Sequence, residues 1–144
     1  MTKRESTYRF VRQSGGVGHY AQVTLAVEET PSTGLTVQIL PTAFAWLKEV
    51  YGPDAWEWAI CDEYRRSALF GVAYALQHAK IPFDIAHVTI SVVTIHASPA
   101  DTSGDDVAYA TAFAVWQACE VEPSVRPRLE GRHIVFPQDD VVQV

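Results

Sequence analysis

The stretch RQSGGVGHY, Arg12 to Tyr20, sets three glycines in four positions directly ahead of HYAQVTLAVEE. A phosphate-cradling glycine loop ends at a helix N-terminus, whose free N–H groups face the anion. No helix pattern follows here. Ala21, Val23, Leu25 and Val27 alternate with Gln22, Thr24, Ala26 and Glu28, the period of a half-buried strand. Gly18 also lacks the Lys and Ser/Thr that would complete a P-loop. Gly15, Gly16 and Gly18 are therefore read as turn and bulge residues, at least one of them with positive φ.

On either side of these glycines and beyond, strands are expected at Tyr8–Gln13, His19–Glu29 and Leu35–Leu40, joined by GVG and TPSTG into a meander. PTAFAWLKEVYGP supplies one or two helical turns, stopped by Gly52 and Pro53. Asp54 and Glu57 have capping-box spacing, so a long helix is expected from Asp54 to about Ala79. Its apolar stripe is Trp58, Tyr64, Leu69, Val72, Ala73 and Leu76. A fourth strand, Ile85–Ile95, points Ala86, Val88, Ile90 and Val92 one way and His87, Thr89 and Ser91 the other. Ser103 caps a second helix over Gly104–Glu120, on which Val107, Ala110, Phe113, Ala114 and Gln117 share a face. Gly131–Phe136 closes as a short strand, and QDDVVQV after it is a frayed tail. The order βββαβαβ, with strands polar on one face, implies an α+β fold. Its form is a two-layer α/β sandwich with four main strands and both helices on the apolar side.

Size allows one domain: 144 residues bury roughly 68–70% of the unfolded surface around a single core. Residues 1–7 are read as an N-terminal extension, 8–137 as the domain and 138–144 as the tail. A hydrophobic fraction of 48% with 19% charged residues is ordinary for a soluble protein. No apolar run reaches a membrane span, and MTKRESTYRF lacks the core of a signal peptide, so a cytoplasmic location is expected. The net charge of −6 argues against general DNA or RNA binding, which needs clustered cations. Cys61 and Cys119 have neither zinc nor redox spacing and are read as reduced packing residues.

Candidate chemistry is sparse. None of the five histidines pairs at the spacing of a helical metal site, and each of His19, His78, His87, His96 and His133 is read as solvated or capping. Ser14, Ser67, Ser91 and Ser103 lack a nucleophile elbow. The polar sheet face of Gln22, Thr24, Thr36, Gln38, His87, Thr89 and Ser91 offers no aromatic for base stacking. Phe44, Trp46, Tyr51, Trp56 and Trp58 are read as core and lid packing. No catalytic residue, metal site or cofactor is expected. His96, Asp101, Thr102 and Ser103 come nearest to a constellation, because they share one loop.

RQSGGVGHYAQV resembles the opening of domain IV of translation elongation factor G, and the likeness continues through EYRRSALFGVAYALQHAKIPFDIAHVTISVV, IHASPADTSGDD and EPSVRPRLEGRHIVFP. The tetracycline-resistance ribosomal protection proteins carry a similar domain. The resemblance covers roughly residues 8 to 137. It implies the fold of the second domain of a small-subunit ribosomal protein, with a left-handed βαβ crossover, and tip loops that touch the ribosomal decoding region. Three departures stand beside it. No GTPase motif is present, LPTAFAWLKEVYGPD replaces the family's Gly-Gly-x-Ile-Pro tip loop, and Val17 and His19 replace its Arg and Gln. What it implies is a non-catalytic, stand-alone module associating with the ribosome or a translation factor, with Arg12, His19, His96, Asp101, Thr102 and Ser103 as the contact residues. The alternative is a self-associating interaction domain that keeps the fold without a ribosomal role.

Overall fold

The computed structural model describes residues 3–30, 34–98 and 100–138. Strand β1 (Lys3–Ser14) runs antiparallel to β2 (Val17–Glu29), with Ser14 facing Val17 across the turn. β1 thus starts five residues before the expected Tyr8, and residues 3–7, read as an extension, belong to the sheet. β3 (Thr36–Ile39) leads through a 3-10 turn at Pro41–Phe44 into α1 (Ala45–Tyr51) and a second such turn at Ala55–Glu57. Helix α2 (Ala59–Gln77), β4 (Val88–His96) and α3 (Gly104–Cys119) follow, and β5 (Arg128–Glu130) pairs with β6 (His133–Val135). Most of the TPSTG turn and of the QDDVVQV tail lies outside the described residues.

The main sheet has the order β1-β2-β4-β3. It is not a meander. β3 lies parallel to β4, and β4 occupies the second edge of β2. The physical reason is ladder length: nine-residue β4 offers β2 a far longer run of pairs than four-residue β3. The final segment forms its own two-stranded sheet.

Both long helices cover one face, giving the two-layer α/β arrangement. Tyr8 and Phe10 of β1 stack on Phe113 and Tyr109 of α3 at 5.0 and 4.1 Å, and the Ser6 hydroxyl donates to the Ala114 carbonyl at 2.6 Å. α2 crosses α3 at Gly71, where a Cβ would stand 2.6 Å from the Ala108 carbonyl oxygen. Only glycine permits that approach. The buried strand residues Ala21, Val23, Leu25, Val27, Val88, Ile90 and Val92 meet Tyr64, Ala68, Val72 and Ala75 of α2 and the alanine-rich surface of α3 in one core.

Helix α2 corrects the expectation for its start and its face. Asp54 makes no side-chain cap, and the helix begins at Ala59 behind an extended Trp58. The Gly52–Pro53 break is followed by a 3-10 turn, whose Trp56 carbonyl is taken by Arg65 at 2.9 Å, so the chain turns again before the helix forms. The buried stripe is Cys61, Tyr64, Ala68, Gly71, Val72, Tyr74 and Ala75, and Trp58, Leu69 and Ala73 are exposed. The side packed on α3 is lined by small residues, because close crossing rather than large apolar volume is what that contact requires.

A β-bulge decides one further point. Thr24 pairs with Thr94 and Leu25 with Val92, leaving Val93 unpaired. Uninterrupted alternation from Val88 would carry His96 to the core side. The extra residue reverses the parity, burying Ile95 and turning His96 to the open face.

Candidate functional site

Three loops from distant parts of the chain meet at one end of the sandwich. The first is the β1–β2 turn, where Gly15 and Gly16 adopt φ of 58° and 78°. Two consecutive positive φ values suit a two-residue hairpin connection, which matches the right-handed twist of its strands. The second is the β5–β6 turn: the Ser14 hydroxyl donates to the Gly131 carbonyl, and a Cβ on Gly15 would sit 2.6 Å from Arg132 Cγ. The third is the β4–α3 loop. Gly18, whose φ is not positive, serves close approach instead, since its Cβ would lie 3.1 Å from Asp101 Oδ1.

The β4–α3 loop is pinned by side-chain hydrogen bonds. Thr102 Oγ1 donates to the Tyr20 carbonyl and accepts from the Ser98 N–H at 2.9 Å, while the Tyr64 hydroxyl donates to the Thr102 carbonyl at 3.2 Å. Ser103 then caps α3 as expected. Its hydroxyl accepts from the Asp106 N–H at 3.3 Å, and its own N–H donates to Asp106 Oδ2 at 2.9 Å, a reciprocal capping box. The other Asp106 oxygen lies 2.7 Å from His19 Nδ1, in a pair that is 5% and 1% exposed. His19 Nε2 is also buried, with no hydrogen-bond partner among the described residues.

These groups surround a cleft of about 300 Å³, open to solvent, to which Arg132 brings positive charge, Asp101, Asp105 and Asp106 bring carboxylates, and His133 brings an imidazole. Asp105 is exposed overall, yet partial burial pushes its carboxyl upward, the Asp106 charge adds to the rise, and His133 opposes it. No group of three or more His, Cys, Asp or Glu suited to a metal ion occurs among the described residues.

The expected contact residues divide. His19, Asp101, Thr102 and Ser103 line the cleft. Arg12 and His96 do not. Arg12 is exposed and lies over the Phe10 ring at 5.9 Å. His96, which shares a loop with Asp101, Thr102 and Ser103, lies on the opposite sheet face, 2.8 Å from the Tyr20 hydroxyl and with its ring 4.9 Å from that of Trp46. Tyr20 and Trp46 also correct the expectation of an outer face free of aromatics, and Arg9 lies over the Tyr20 ring at 5.9 Å. His19 and His78, read as solvated or capping, are both buried; His78 Nε2 is 3.1 Å from Gln138 Oε1. Phe44 and Leu47 of the replaced tip loop enter the core and Lys48 lies 4.2 Å over Trp56, whereas Tyr51 and Trp58 stay exposed, outside the core, with their rings 5.4 Å apart. Asp105, Asp106, Arg132 and His133 also line the cleft and are not among the expected contact residues. Asp106 carried a signal, its spacing of three from Ser103; Arg132 and His133 carried none.

No family model and no curated protein matches the chain. Among solved structures, the chain is similar in fold to ttk003000868 from Thermus thermophilus, with a TM-score of 0.60 at 17% sequence identity. The likeness covers 83% of this chain and 16% of that one, so this chain spans about a sixth of the other's length. It extends to the fold alone. No helix among the described residues is long and apolar enough to cross a membrane.

Proposed function

We propose that this protein is a non-catalytic binding module that presents its three-loop end to structured RNA of the ribosome or to a translation factor, as the resemblance to domain IV of elongation factor G implies. The observation that carries the reading is the composite tip: residues 14–18, 100–106 and 130–133 are interlocked by glycine-permitted contacts and buried polar bonds, with Arg132 and His133 at an open cleft. A preorganised polar surface built from several loops suits recognition of a shaped partner, and Arg132 at its cleft, with the exposed Arg12 nearby on β1, suits phosphate. The non-catalytic half rests on how the polar groups are used. The Thr102 and Ser103 hydroxyls hold backbone, and His19 Nδ1 is tied to Asp106, so each of these groups is already engaged in holding the loop and the helix start.

Co-sedimentation with ribosomal subunits over a salt series tests the reading. Binding at low ionic strength that weakens as salt rises, and a shallower salt dependence for Arg12→Ala/Arg132→Ala, are expected. Protein left wholly in the supernatant at low salt overturns it, and turnover of any substrate abolished by Ser103→Ala overturns the non-catalytic half.

A further inference from the structure

Strand β1 is an edge strand of 12 residues, and among the described residues no strand pairs with its outer side. The opposite edge, β3, has four. A long edge is a template for further strand pairing unless something blocks it. Thr7 marks the geometry of this one. Thr7 and Thr24 face each other with hydroxyls 2.7 Å apart, the close approach of a non-hydrogen-bonded antiparallel pair. The backbone N–H and C=O of Thr7 therefore point outward, along with those of Glu5 and Arg9 two residues to either side. In agreement, the Thr7 carbonyl accepts a bond from the Gln117 side chain of α3 at 3.0 Å. On either side of Gln117 the edge is flanked by open grooves of about 570 and 400 Å³, the larger walled by Tyr8, Phe113 and Trp116.

We infer that a second copy of this chain pairs here, β1 against β1 and antiparallel, about a two-fold axis at Thr7. The charge pattern selects that register. Centred on Thr7, Glu5 of each copy faces Arg9 of the other on the open face, and both residues are exposed. Every neighbouring register sets like charges opposite. Centring on Ser6 faces Lys3 with Arg9, centring on Tyr8 faces Arg4 with Arg12, and centring on Glu5 or Arg9 faces each residue with itself. Glu5 makes no ion pair or hydrogen bond among the described residues, and Arg9 only leans over Tyr20, so both charges are available. Gln117 is then a removable block at the centre of the interface: on pairing, the Thr7 carbonyl exchanges the Gln117 amide for the N–H of the second copy's Thr7. The interface is independent of the three-loop end.

The test is sedimentation equilibrium of the full chain over a concentration series, with far-UV circular dichroism to establish that each variant is folded. The wild type is expected to form a concentration-dependent dimer. Glu5→Arg and Arg9→Glu each weaken it by about tenfold or more, because each places like charges across both symmetric contacts. An equimolar mixture of the two variants restores association as a heterodimer, and the double variant Glu5→Arg/Arg9→Glu restores the homodimer. Gln117→Ala tightens the dimer by about tenfold, since two competing bonds are removed. A monomer at every concentration for both wild type and Gln117→Ala overturns the proposal, as do single charge variants that associate like the wild type.

Discussion

His19 and His96 belong to neighbouring strands, flank the same end of the sheet and are equally polar, yet the structure uses them in opposite ways. His19 points into the layer between sheet and helices and is held by Asp106. His96 points away from the helices, exposed, against Tyr20 and Trp46. The difference arises from one unpaired residue, Val93, which reverses the side-chain parity of β4 before His96. Polar residues at this end are thereby sorted into a buried set that builds the tip and an exposed set that decorates the open face.

Asp106→Ala breaks the comparison hardest. It leaves the buried His19 ring without its hydrogen-bond partner and removes half of the capping box, with an expected cost of about 2–5 kcal/mol in chemical denaturation. Gly15→Val comes next, at about 1–3 kcal/mol, because a β-branched residue at φ 58° is strained and its Cβ meets Arg132. Gly18→Val and Gly16→Val allow a sharper reading. Gly16 suffers through its φ of 78° alone and Gly18 through its approach to Asp101 alone, and unchanged denaturation midpoints for all three would remove the account of the hairpin.

An alkaline series probes the packed side directly. Burial pushes the Tyr64 hydroxyl, which supports Thr102, from its ordinary 10.0 up to about 12, and the Cys119 thiol from 9.0 up to about 11. In the unfolded chain both groups release their protons at the lower values. Between pH 9 and 12 the unfolded state thus binds fewer protons than the folded state, and stability falls as pH rises. The unfolding midpoint is expected to drop across that window, and to drop less in Tyr64→Phe.

The smallest effects belong to the open face. Tyr20→Phe and His96→Ala remove a hydrogen bond that solvent replaces, and each is expected to shift stability by less than about 1 kcal/mol. If His96→Ala proved as damaging as Asp106→Ala, the assignment of the two histidines to different roles would fail.

Local chemistry made much of this legible beforehand. Ser103 ahead of Val107, Ala110 and Ala114 on one helical face is a helix start that needs no distant partner, and the glycines ahead of an alternating run announce a hairpin. The α2 start misled because Asp54 and Glu57 have the spacing of a cap but lie in a turn that Pro53 and the Arg65 contact keep outside the helix. The site was only half readable. His19, Asp101, Thr102 and Ser103 follow from one motif and one loop, whereas Arg132 and His133 arrive from a hairpin more than a hundred residues away from Gly15, against which Arg132 packs.

The two-layer class, the β1–β2 hairpin and the α3 cap each follow from periods and spacings within a few residues, where backbone sterics and hydrogen bonding act, and need no knowledge of distant contacts. Strand partners, the bulge at Val93, the close crossing at Gly71 and the meeting of three loops were decided by tertiary structure. Those outcomes depend on which of several comparable ladders and contacts best fill one shared core, and that competition is settled between residues far apart in the chain.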